Sequence, residues 1–388
     1  MRPRQVLAPL VFAPLGLWLV ACDDFRAPAN AAHRPSPSVA AVPAVGAPKP
    51  ANPAPVTQAP APSIADAAVA DGAEATPPAS NDPQAKLIET STPGPAPRAR
   101  PSRPLLIKLE VLLDRAHFSP GEIDGQPGGN LRNAMAAFET SKGLPVEGTV
   151  RPLLLQTLES ADPAPVTQDY VITAEDEKGP FLGVVPTGME ALAKLDHLGY
   201  ATPIEGLAEK FHMSQALLRS LNPKADFTAV GITIAVVQPG GSDLGAKVAR
   251  VEVDKAANQV RAMDGAGKIL GVFPATVGST ERPAPSGEWA VKTVVHDPDY
   301  SYDPKRLTFG DRSKGALRIA PGPNNPVGTT WIALTAETYG IHGTPDPTKV
   351  GKTASHGCVR LTNWDAATLG KAVTKGVPVV FVGATSKS

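Results

Sequence analysis

Cysteine is almost missing from this chain. The 388 residues contain two, Cys22 and Cys358. That is too few for a disulfide-stapled fold, so each cysteine has its own job. The scarcity also argues against zinc. His342, His356 and Cys358 are possible ligands, but no pair among them has the usual spacing, and no metal or other cofactor is expected. Net charge is absent too: 37 basic residues balance 37 acidic ones. Such balance gives no reason to invoke nucleic acid. The apolar stretch near the N-terminus, roughly Val6 to Ala21, is too short and too interrupted by proline to span a bilayer comfortably. Aromatic residues are only 5% of the chain and nearly vanish between Asp23 and Pro104.

What is present begins with Arg2 and Arg4 ahead of that apolar stretch, the layout of an export signal over residues 1–21. It ends Leu19-Val20-Ala21-Cys22, which resembles the lipobox of bacterial lipoproteins. The resemblance implies that Cys22 is diacylated and becomes the mature N-terminus. The protein would then be anchored to the membrane rather than spanning it, and would work in the periplasm. An ordinary signal peptide with an incidental cysteine is the alternative. Residues 22–104 are rich in alanine and proline, in pieces such as Pro93-Gly94-Pro95-Ala96-Pro97. Proline removes backbone donors and there is no apolar material for a core, so a long disordered N-terminal tether is expected. Stretched as polyproline II, it would reach roughly 250 Å.

Residues 105–160 read as folded. Leu105, Leu109, Leu112 and Leu113 share a helical face; a second helix carries Leu131, Met135 and Phe138, and a third is expected from Arg151 to Leu158. The Pro120-Gly121…Asp124-Gly125 loop, the helix around Ala134–Glu139 and the Gly143–Gly148 turn resemble the small three-helix peptidoglycan-binding domain. A generic helical spacer is the plainer reading. In residues 166–240, Gly206–Ser214 followed by Leu217–Pro223 resembles the helical half of a LysM module, with Gly231–Val236 as its closing strand. The opening strand, Tyr170-Val171-Ile172, lies too far upstream, so an insertion of about Lys178 to Gly199 has to intervene. That departure leaves glycan binding and a spacer role both open.

From Lys247 the pattern turns strand-like. Ala249, Val251 and Val253 alternate with charged residues, and Asp264-Gly265 is a hairpin signal. Asn363 to Val373 reads as a helix capped by Thr362 or Asn363. Residues 246–384 are therefore expected to form a mostly β domain with a few short helices. The fold class expected for the whole chain is multidomain, with a small three-helix bundle and an α+β LysM-like module preceding this β domain.

The chemistry is concentrated at Ser355-His356-Gly357-Cys358-Val359-Arg360-Leu361, preceded by Tyr339-Gly340-Ile341-His342-Gly343-Thr344. A thiolate attacks carbonyls well and an imidazole can take its proton, so cysteine acyl transfer is expected. A lone cysteine after glycine is more often a small buried hydrophobe. With Pro283–Trp289 and Asn325-Pro326-Val327-Gly328 in order upstream, the region resembles the YkuD-type L,D-transpeptidases. The resemblance implies Cys358 as nucleophile and His342 as general base and later acid. It also implies that the Gly343 carbonyl orients His342, that Tyr339 belongs to the approach to the site, and that Ser355 and His356 line it. Amides around Gly357 and Cys358 would form the oxyanion hole. Arg360 would hold a substrate carboxylate or pin its loop by a salt bridge. The expected partners are peptidoglycan stem peptides and glycan, and a monomer is expected. The acceptor remains open: an amine of a second stem (a 3→3 cross-link), water, or a protein amine. A non-catalytic wall-binding scaffold is the alternative from another class. His33, His117, His197, His212 and His296 lack a companion motif and read as surface or packing residues, although His296 could line the cleft.

Overall fold

The computed structural model describes residues 76–94, 100–278, 283–305, 315–353 and 357–383. Residues 1–75, with the signal segment and Cys22, lie outside them. Helices begin where a short polar side chain can accept a free backbone N–H. Asp82 caps α1 (Pro83–Glu89) and Ser102 caps α2 (Arg103–Arg115). Two further helices follow, α3 (Gly129–Ser141) and α4 (Pro152–Ala161). The expectation of a disordered linker across 22–104 fails at its C-terminal end. Ala85 and Ile88 of α1 are buried, and Glu89 Oε1 accepts from both the backbone N–H and the hydroxyl of Thr167 at 2.7 Å. Lys108 Nζ donates to the Glu89 carbonyl at 2.8 Å. The alanine- and proline-rich composition masks a short capped helix that has a core to pack on.

The chain continues as β1 (Thr167–Val171), short helices α5 (Ala174–Glu177) and α6 (Met189–Leu192), then α7 (Pro203–Lys210), α8 (Gln215–Leu221) and β2 (Thr233–Val237). β1 and β2 pair antiparallel. The apolar faces of α2, α3, α4, α7, α8 and β2 meet in a single cluster that includes Leu109, Phe138, Leu158, Leu207, Leu217 and Val236. The helical segment and the α/β segment therefore share one core.

Beyond residue 249 lies a nine-stranded sheet. Its strands are β3 (Arg250–Asp254), β4 (Gln259–Met263), β5 (Ile269–Pro274), β6 (Thr276–Val277), β7 (Gly287–His296), β10 (Thr330–Leu334), β11 (Gly340–His342), β12 (Val359–Arg360) and β13 (Pro378–Val382). A separate hairpin pairs β8 (Tyr300–Tyr302) with β9 (Leu317–Ile319). The strand order in the large sheet is β5-β4-β3-β13-β7-β10-β11-β12-β6. β5 and β6 are separated in sequence only by Ala275 yet stand at opposite ends of that order. The sheet must therefore curl until its two edges nearly meet. Helix α9 (Asn363–Ala372), capped by Thr362, packs against β10 and β11. The core under it contains Ile332, Ile341, Val359 and Leu369.

The sheet and the preceding segments dock through main chain and buried polar groups. Ser119 donates its N–H to the Val272 carbonyl, and Val272 donates to the carbonyl of His117, so this loop covers part of edge strand β5. Ser119 Oγ donates to Asp365 Oδ2 at 3.0 Å. The His212 ring, held by Asp114 at 3.0 Å, stacks on the Trp364 indole at 4.9 Å and 11°. All described residues fall within one compact unit. Trp364→Ala is expected to lower unfolding free energy by about 3 kcal/mol in denaturant titrations, the low end of the range for a large aromatic in a core. A loss below about 1 kcal/mol would show that the stack is incidental.

Candidate active site

The parallel pairing of β11 with β12 builds the site. Ile341 lies opposite Val359, and His342 opposite Arg360. Ile341 and Val359 are buried in the sheet's core. Side chains alternate along a strand, so His342 and Arg360 share the other face. Cys358 immediately precedes β12, and its sulfur lies against the backbone of Gly340, two residues before His342 on β11. Gly340 stands between them without a side chain. Antiparallel β10 places Trp331 directly opposite His342, and the two rings stack at 5.3 Å and 25°. A methyl group on Gly340 would lie 2.6 Å from the Trp331 ring, so glycine is required there by close approach. Gly357 has φ +113°, and Tyr339 packs against its α-carbon. The left-handed turn at Gly357 presents the cysteine.

His342 is buried and its Nδ1 lies 2.7 Å from the Gly343 carbonyl. That oxygen can only accept, so Nδ1 carries the proton and Nε2 keeps a lone pair. Burial holds the imidazole pKa down at about 4, assisted by the nearby Arg360 cation and opposed by the Gly343 bond. The Cys358 sulfur lies 3.9 Å from the Thr338 carbonyl. Cys358 is partly exposed, yet its surroundings are crowded enough that desolvation pushes its thiol up, against the pull of the Gly340 backbone and Arg360. The resting pair is thus a neutral thiol beside a neutral imidazole. A neutral thiol and a neutral imidazole within proton-transfer reach can carry out nucleophilic acyl transfer by moving the proton as the sulfur attacks. Arg360 makes no ion pair among the described residues, and its charge acts on both His342 and Cys358.

Of the site residues expected from sequence, Cys358, His342, Gly343, Gly357, Arg360 and Tyr339 come together around β11 and β12. Ser355, His356 and Cys22 lie outside the described residues. His296 pairs with Thr330, on the face that packs against α9 rather than the face of His342. Among the described residues no group of three His, Cys, Asp or Glu side chains is placed to hold a metal ion. Several contributors carry no motif. Trp331 covers His342, and Tyr300 stands close enough to Cys358 to feel its charge. Thr276, opposite Arg360, accepts from the Gly351 N–H at 2.9 Å and so ties the loop that leads to the nucleophile. Only strand pairing reveals these neighbours.

Residues 249–381 match YkuD, the L,D-transpeptidase catalytic domain. The candidate L,D-transpeptidase YkuD of Bacillus licheniformis is 24% identical over 176 residues, covering 45% of this chain and 91% of that protein. Its Bacillus subtilis counterpart is 26% identical over 191 residues, covering 46% and 92%. Among solved structures, the catalytic domain of the Enterococcus faecium L,D-transpeptidase aligns with 35% of this chain and 98% of its own, at 19% identity and a TM-score of 0.28. With the cysteine and histidine segments of the motif paired as adjacent strands, residues 249–381 of this chain are a YkuD-type L,D-transpeptidase catalytic domain.

Proposed function

We propose that this domain transfers peptidoglycan stem peptides through a thioester on Cys358, joining two stems by a 3→3 cross-link. The observation that carries this reading is that Cys358 immediately precedes β12, the strand paired with the β11 that carries His342, whose Nδ1 is held by Gly343. Cys358 Sγ gives its proton to His342 Nε2 and attacks the carbonyl of the third stem residue. The bond to the fourth residue breaks, and D-alanine leaves as an amine after taking that proton. An amine of a second stem then attacks the thioester, gives a proton to His342, and expels the thiolate. Amides at Gly357 and Cys358 stabilise the tetrahedral oxyanion. Arg360, without an ion pair among the described residues, holds a stem carboxylate. Delivery to the wall would follow from the export signal and a lipid on Cys22, with the protein acting in the periplasm.

Incubation with tetrapeptide muropeptides is expected to yield a 3→3 dimer by mass spectrometry, and Cys358→Ala none. Release of a free tripeptide would redirect the thioester to water. Equal behaviour of wild type and Cys358→Ala would overturn the reading. A carbapenem should add its mass to Cys358, as the family resemblance implies.

The pH dependence follows from the sign of the shifts. His342 must be neutral to accept a proton, and its pKa is held near 4. The acid limb of kcat/KM is therefore expected near pH 4, well below the ordinary imidazole value of about 6.5. Arg360→Ala removes a cation that favours the thiolate, so iodoacetamide alkylation of Cys358 at pH 8 should slow several-fold. An unchanged rate would show that the guanidinium does not act on the sulfur.

A further inference from the structure

The Gly343 carbonyl fixes the catalytic imidazole, but the Gly343 peptide itself needs holding. On one side its N–H donates to the Thr330 carbonyl at 3.1 Å. On the other it is pressed against Asn363, the first residue of α9. A methyl group on Gly343 or on Gly328 would collide with Asn363 Oδ1, and that oxygen accepts the Thr329 N–H at 3.3 Å. Asn363 is buried and its amide is fully used. Its Nδ2 donates to the Pro323 carbonyl at 3.2 Å and to Glu209 Oε1 and Oε2 at 3.0 and 3.2 Å.

Glu209 does not belong to the catalytic domain. It sits on α7, in the segment that precedes the sheet, where Tyr200 also donates to its carboxylate at 3.3 Å. Nδ2 spends one hydrogen on the Pro323 carbonyl and the other on the two Glu209 oxygens, so these acceptors together set which way the amide faces. With Nδ2 committed to Glu209 and to the Pro323 carbonyl, Oδ1 faces Gly328 and Gly343. Reversing the amide would point its N–H groups at backbone already packed against it. The chain of contacts is thus Glu209, Asn363, the Gly343 peptide and His342 Nδ1.

We propose that Glu209, from outside the catalytic domain, is a positioning residue for His342, acting through Asn363 on the Gly343 peptide. This rests on the proposed cysteine–histidine chemistry for its consequence in catalysis, but its structural content is separate from that reaction. Without Glu209 the Asn363 amide keeps only the Pro323 carbonyl as an acceptor and the Thr329 N–H as a donor, so the Gly343 peptide is held less firmly and the imidazole samples both tautomers and other ring orientations.

Burial raises the Glu209 pKa to about 7, so nitrogen NMR of the full chain labelled with ¹⁵N-histidine at a pH well above that value tests this directly, with His342 assigned by loss of its signals in His342→Gln. Wild type should show His342 as the Nδ1–H tautomer alone. Glu209→Ala should show a mixture and lower the rate of Cys358 acylation by about tenfold to a hundredfold, the scale of a small misplacement. Glu209→Gln keeps an acceptor for Asn363 and should restore both readouts. Ser119→Ala removes the Ser119–Asp365 bond elsewhere in the same docking surface. It should leave the tautomer unchanged even where it lowers stability. If Glu209→Ala does not fold, Glu209→Met, of similar bulk but without an acceptor, replaces it. A single Nδ1–H tautomer in the Glu209 variant, or an equal disturbance in Ser119→Ala, overturns the inference. A tautomer that depends on Glu209 in a protein that makes no cross-link leaves this inference standing and removes the proposed reaction instead.

Discussion

The parallel register of β11 on β12 is the constraint from which the site follows. It is set by burial: Ile341 and Val359 face each other in the core, and both are essentially inaccessible. A slip of one residue would turn His342 or Cys358 toward the core and expose an aliphatic side chain in its place. Two buried aliphatic residues therefore fix the catalytic geometry without taking part in it. The connection between these parallel strands has to cross over, and it does so through the loop that delivers Cys358. This gives Cys358 a short, loop-borne position next to the strand that carries His342.

The electrostatics of the pair follow from that burial. Desolvation moves the imidazole down and the thiol up, the reverse of what a resting thiolate–imidazolium pair would need. A neutral thiol is less readily oxidised than a thiolate. Arg360 on the same face, and Gly340 with no side chain to block the approach, both favour the charged sulfur once a substrate displaces water. In the proposed reaction, charge would form at the moment of attack, where the Arg360 cation and nearby amides can stabilise it.

The sequence was most legible where chemistry and periodicity coincide. The histidine and cysteine segments, the Asp264-Gly265 turn and the Thr362-capped helix all announce themselves through residue type and spacing. What stayed hidden depends on three dimensions. Helix α1 was obscured by an alanine- and proline-rich surrounding, although Asp82 followed by Pro83 is a capping signal. Trp331 and Thr276 reach the site through strand pairing across long sequence separations, and no local pattern encodes that. Glu209 and Asn363 look like ordinary helix residues until the docking of α7 on α9 brings them together. The nearly closed sheet was also not readable, because edge-to-edge approach of β5 and β6 follows from strand order rather than from any one strand.

The segments before the catalytic domain support both halves of the site. Asn130 on α3 donates to the Val350 carbonyl at 2.9 Å, in the loop that precedes the nucleophile, while Glu209 on α7 reaches the histidine side through Asn363. The insertion between Lys178 and Gly199 has a packing role as well. Leu192 and Leu198 bury against Tyr302 and Ile319 of the β8–β9 hairpin. That hairpin carries Tyr300, whose hydroxyl is within electrostatic reach of Cys358. An insertion that looks like damage to a compact sugar-binding module is, in physical terms, a brace for a strand pair at the active site. Three separate contacts from the preceding segments therefore converge on the base, the nucleophile loop and the tyrosine hairpin. A catalytic domain supported in this way is not an independent unit on a flexible arm. Its geometry is a property of residues on both sides of position 249.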